Sequence, residues 1–161
     1  MTETQAPVRG ALIGLVAGLL AAGAMSLAYR GVERILPKPA APAAQQPEDA
    51  TVTVASAILR LGGRTLAEDE KPLAGTVVHY AFGASVGAVY GALAELAPRV
   101  TTGLGLPFGL AVWLGAHVVT VPALGLAEPP TRQPLGKEGV ELGLHLVYGM
   151  VTELVRRLLR R

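Results

Sequence analysis

At 161 residues the chain has room for one domain, yet 51% of it is hydrophobic, only 16% is charged, and its mean hydropathy is +0.45. Soluble domains carry about 25% charged residues, and a small domain has the most surface to cover, so lipid rather than water must solvate much of the outside. The absence of cysteine excludes disulfides, thiolate metal sites and thiol catalysis, and a net charge of +2 without a basic, aromatic-interleaved stripe excludes nucleic acid as a partner.

The first apolar stretch, residues 10–29, is uncharged and has the length needed to cross a bilayer. A cleaved signal peptide is the alternative reading, with Arg9 as a thin basic flank, although the stretch is longer than a usual signal core. Gly10, Gly14 and Gly18 recur every fourth residue and make a flat ridge for another helix. Arg30, Glu33, Arg34 and Lys38 then close the span. Residues 37–72 read as an extramembrane Pro/Ala-rich loop, because Pro37, Pro39, Pro42 and Pro47 are too dense for a helix. Within that loop, residues 51–66 predict a short interfacial helix capped by Asp49 or Thr51.

A second span is predicted over residues 73–96, between Pro72 and Pro98, with its own ridge at Gly83, Gly87 and Gly91. Its Glu95 reads as a side chain that snorkels to the interface. The third span, 106–126, contains Trp113, His117 and an internal Pro122 that neighbouring helices can accommodate. The fourth, 138–155, is the weakest, since Glu138, Glu141, His145 and Glu153 interrupt it. A surface amphipathic helix is the alternative there. The expected fold is therefore an all-α integral membrane four-helix bundle, one domain over 1–161, with three spans plus an interfacial helix as the runner-up. The arginine cluster at Arg156, Arg157, Arg160 and Arg161 lies directly against the last span and favours an inner-membrane, multi-pass arrangement with both termini cytoplasmic.

All three histidines, His79, His117 and His145, fall within predicted spans, at roughly 9–13 Å from the same membrane face. Each shares a helical face with small or polar residues: His79 with Gly75 and Gly83, His117 with Gly109, Trp113 and Thr120, His145 with Glu141 and Glu138. Ionisable groups in membrane helices are costly and usually functional, so a shared site of His79, His117, His145 and Glu141 is expected, with Glu138 and Thr120 around it. Imidazoles plus a carboxylate have the ligand types for a divalent metal ion and can equally relay protons. A haem held by two facing histidines is a third version. The bland reading makes each histidine interhelical glue. Nothing supports nucleophilic catalysis or nucleotide binding: the aspartates Asp49 and Asp69 lie in the long loop, and no Gly-rich loop follows a strand. The competing class is a structural or accessory protein that packs in a homo-oligomer or larger membrane complex.

Three stretches carry a family resemblance: HYAFGASVGAVYG from His79, GLAVWLGAHVVTVPALGLAEPP around His117, and ELGLHLVYGMVTELVRR around Glu141 and His145. From His79 to the C-terminus the chain resembles the YagU-like proteins, bacterial inner-membrane proteins of unknown function. In these a histidine stands at each corresponding place, with a glutamate four residues before the last. The resemblance implies an inner-membrane location and no particular activity. The long Pro/Ala-rich loop departs from it.

Overall fold

The computed structural model describes residues 5–35 and 49–161, and all the regular structure among them is helical. Helix α1 (Gln5–Ile35) is longer than the predicted span at both ends, because Arg30, Glu33 and Arg34 are good helix formers and extend the apolar rod. The prolines between residues 37 and 47 lie outside the described residues. Helix α2 (Ala50–Leu61) begins where Asp49 accepts the Thr51 backbone N–H at 2.7 Å. It stops short of the expected residue 66 because Gly62 and Gly63 follow, the latter left-handed at φ 73°.

Helix α3 (Lys71–Leu96) carries Pro72 in its first turn, where the missing N–H costs nothing, and ends before Pro98. Tight turns over Pro98–Gly105 lead into α4 (Leu106–Val112). The α4 rod continues as a π-helical segment (Trp113–Thr120) and a last α turn (Val121–Ala123). Two bonds mark the widened turn. The Val121 N–H reaches back five residues to the Ala116 carbonyl, and the Thr120 hydroxyl donates to the Gly115 carbonyl at 2.6 Å. Pro122 explains the widening, since its ring excludes the normal bond to the preceding turn. The last helix, α5 (Leu135–Arg160), spans about 39 Å along its axis.

Three helical stretches are long and apolar enough to cross a membrane: Gln5–Ile35, Glu68–Leu96 and Pro98–Ala123. The expected four-helix membrane bundle is reduced on this point. Although α5 is as long as α3, its glutamates, lysine and arginines make it too polar to qualify by composition. It nevertheless packs along α1 and α4, while α2 lies on the first half of α3. Large apolar side chains such as Val8, Leu12, Leu20 and Leu27 of α1, Val77 and Val89 of α3, and Val119 of the α4 rod point outward, as lipid-facing residues do.

The helices meet along seams of glycine. Between α1 and the antiparallel α3, Gly10 faces Gly91, Gly14 faces Gly87 and Gly18 faces Gly83. An added Cβ at Gly14 would overlap the Gly87 carbonyl oxygen and lie 2.9 Å from the Gly91 Cα. At Gly18 it would overlap the Gly83 carbonyl oxygen and lie 2.9 Å from the Gly87 Cα. A second seam joins the α4 and α5 hairpin: a Cβ on Gly149 would sit 2.7 Å from the Gly109 Cα, and one on Gly109 would sit 3.0 Å from the His145 carbonyl carbon. Gly105 is required twice over, by its left-handed φ of 79° and by Gly149 pressed against it.

Aromatics fill the space between the two seams. Tyr90 stacks on Phe108 at 4.1 Å between centroids, and Phe108 leans on Tyr148 at 5.9 Å. The buried Tyr148 hydroxyl donates to the Gly83 carbonyl at 2.6 Å, which ties α5 to the glycine ridge of α3. Tyr148→Phe is expected to cost about 1 kcal/mol in thermal unfolding, with the ring packing unchanged.

Candidate functional site

The α4–α5 hairpin places His117, Glu138 and His145 in the half of the bundle nearest the connecting loop. His117 lies in the π-helical segment, six residues before the end of that rod, and Glu138 is in the first turn of α5. The antiparallel hairpin brings them together: His117 Nε2 is 3.0 Å from Glu138 Oε2. Glu138 is largely buried at 9% exposure, and its other oxygen, Oε1, has no hydrogen-bond partner among the described residues. The His145 ring is 6.1 Å from that of His117, centroid to centroid, and Trp113 stacks one turn before His117 at 6.2 Å. The Trp113 indole N–H is a second buried polar group without a partner among the described residues. His145 donates from Nδ1 to the Glu141 backbone carbonyl at 2.8 Å, which fixes the proton on that nitrogen and leaves Nε2 as the acceptor.

Not every expected member joins. His79 turns to α1, where Nε2 lies 3.3 Å from both the Ala22 carbonyl and the Ser26 hydroxyl, with Tyr80 edge-on at 5.4 Å. Its place follows from the seam: stepping by four from the Gly18–Gly83 pair gives Ala22 facing His79. The ridge of Gly75, His79 and Gly83 therefore packs on α1 and α2, with Tyr148 of α5 also against Gly83, and the His79 ring nitrogen bonds to α1 rather than to another histidine. The carboxylate that meets a histidine is that of Glu138. Glu141 contributes its backbone carbonyl to His145, and its carboxylate makes no hydrogen bond among the described residues. Thr120 is exposed and bonded within its own helix, outside the cluster.

The metal reading loses its support at this point. Among the described residues no group of three or more histidine, aspartate or glutamate side chains converges as a metal ion requires. A haem between facing histidines is likewise unsupported: His117 presents Nε2 to the Glu138 carboxylate and His79 faces α1. What the arrangement can do chemically is accept, hold and pass a proton between imidazole and carboxylate.

A second polar cluster, at the opposite end, was read from the sequence only as separate charges. Glu153 is fully buried and accepts four hydrogen bonds: from the Tyr90 hydroxyl (2.8 Å), Arg156 Nε (2.7 Å) and Nη2 (3.0 Å), and Arg157 Nε (2.6 Å). Glu95, expected to snorkel to the interface, pairs there with Arg160 at 3.2 Å and approaches Arg156 at 4.0 Å. The available signal was the spacing of Glu153 to Arg156 and Arg157, three and four residues along one helix face.

Long apolar helices joined by glycine seams, with charged groups turned into the interior, define a helical membrane protein. Residues 25–154 match the model of a family of proteins of unknown function, DUF1440, and the chain belongs to that family. The match includes the Pro/Ala-rich loop as well as all three histidines. No curated protein and no solved structure matches the chain.

Proposed function

We propose that this is a YagU-like inner-membrane protein that crosses the bilayer four times, with both termini cytoplasmic, and handles protons at a site formed by His117, Glu138 and His145. The observation that carries the reading is the 3.0 Å contact of the His117 imidazole with the Glu138 carboxylate between two packed helices, beside a Glu138 oxygen that has no hydrogen-bond partner among the described residues. An intramembrane ionisable pair is costly, and such groups commonly mark proton relays or ion pathways. The π-helical turn that carries His117 supports it too, since such turns are frequent at functional positions.

Counting α5 as a fourth crossing rests on where its charges point. Glu138, Glu153 and Arg156 are buried, whereas Leu135, Leu154, Leu158 and Leu159 are exposed. Three of the charges that lower its apolarity are thus turned away from lipid, and the exposed Lys137, Arg157 and Arg160 lie in its first and last turns, where a membrane helix meets the surface. The terminal arginines support the cytoplasmic placement of both ends.

Proton flux into vesicles tests the proposal. The full chain, reconstituted with an entrapped pH-sensitive dye and driven by a potassium diffusion potential, is expected to acidify the lumen faster than empty vesicles. His117→Phe and Glu138→Gln are each expected to slow that flux roughly a hundredfold, the scale of a lost positioned proton carrier. Wild-type flux equal to that of empty vesicles, or unchanged flux in variants of normal thermal stability, sinks the reading. The second reading, a structural or accessory protein assembled in an oligomer or larger complex, predicts that the histidine variants alter no flux.

A further inference from the structure

At the end of the molecule opposite the histidines, the first turns of α1 meet the last turns of α3 and α5. A cavity of about 170 Å³ opens there, lined by Ala6, Arg9, Ile13, Glu95 and Arg160. We propose that this cavity is a headgroup site for an anionic phospholipid, with the guanidinium groups of Arg9 and Arg160 on the phosphate.

Charge supports that ligand class. Arg9, Arg156, Arg157 and Arg160 bring four positive charges to the cavity and the cluster beside it, against two negative charges from Glu95 and Glu153. Glu153 is already fully engaged, and Glu95 is drawn to Arg160 and Arg156, so neither repels an incoming phosphate without a guanidinium alongside. Arg156 is 4% exposed, and its Nη1 has no hydrogen-bond partner among the described residues although it points at the cavity-lining Glu95 from 4.0 Å. Two positive charges remain uncompensated where the helices reach the membrane surface. Basic pockets between helix ends bind anionic headgroups for this reason, and guanidinium groups meet phosphate oxygens with paired donors.

The apolar surroundings favour a lipid over free phosphate. Ile13 lines the cavity, and Val8 and Leu12 are each 62% exposed on the neighbouring face of α1, a track on which acyl chains can lie. The site is remote from His117 and Glu138, so it stands or falls independently of proton handling.

Thermal unfolding of the full chain in neutral detergent tests the proposal, with phosphatidylglycerol, phosphatidylcholine or inorganic phosphate added in turn. Phosphatidylglycerol alone is expected to raise the midpoint. Arg9→Gln and Arg160→Gln are each expected to weaken its apparent affinity about fivefold, and the pair about twenty-five-fold, while Arg132→Gln at the other end leaves it unchanged. The single variants alter exposed side chains and keep the test readable where the double variant does not fold. An equal shift with phosphatidylcholine overturns the site, as does wild-type affinity in both single variants or an equal loss in Arg132→Gln. A full shift with inorganic phosphate overturns the lipid assignment.

Discussion

Truncating Glu153 to alanine is expected to destabilise the fold by about 3–5 kcal/mol, the cost of removing one partner from a buried charge cluster. The carboxylate is fully buried and receives donors from Tyr90, Arg156 and Arg157. Its removal leaves the 4%-exposed Arg156 guanidinium without its nearest counter-charge and a buried tyrosine hydroxyl without its acceptor. Glu153→Gln keeps one acceptor oxygen but not the charge, so it should fall between wild type and alanine. Thermal unfolding in detergent reads both, with a drop on the order of 10 °C for alanine. An alanine variant as stable as wild type would show that the arginines find water or lipid phosphate instead, and that the cluster is not sealed.

The second large effect lies at the α1–α3 seam. Gly14→Val is expected to force the two helices apart, because even the first carbon of the new side chain overlaps the Gly87 carbonyl oxygen and crowds the Gly91 backbone. Backbone cannot rotate out of the way as a side chain can, so the cost sits at or above the usual 1–3 kcal/mol of overpacking. Gly87→Val should act alike, since a Cβ there would lie 2.6 Å from the Gly18 Cα. Gly31→Ala in the same helix α1 meets nothing within 4 Å, so it should be neutral or slightly stabilising through helix propensity. Comparable midpoints for Gly14→Val and Gly31→Ala would refute close packing at this seam.

Much of the architecture was legible in the residues. Apolar run length located α1, α3 and the α4 rod, Asp49 marked the start of α2, and glycines four apart marked the packing faces of α1 and α3. The all-helical class follows from these local signals. The π-helical turn at His117 was not foreseen, although Pro122 is its evident cause. The site was legible only in part. His117 and His145 do come together, but the same four-residue spacing that made His79 look like a member places it on the α1 seam. Glu138, expected beside the site, makes the contact with His117, whereas Glu141 serves through its backbone. Glu153, which looked like a reason to doubt the last helix, is its most thoroughly satisfied charge.

Composition and periodicity by themselves determined that this chain is helical, belongs in lipid, and keeps its small residues on defined faces, because hydropathy and ridge spacing are properties of each helix alone. Which face meets which, and which carboxylate meets which imidazole, was decided only by the tertiary structure. Those pairings depend on the rotation and register of one helix against another. Backbone contact at Gly14–Gly87 and Gly109–Gly149 sets both, and a shift of one residue would swing every polar side chain by about 100°.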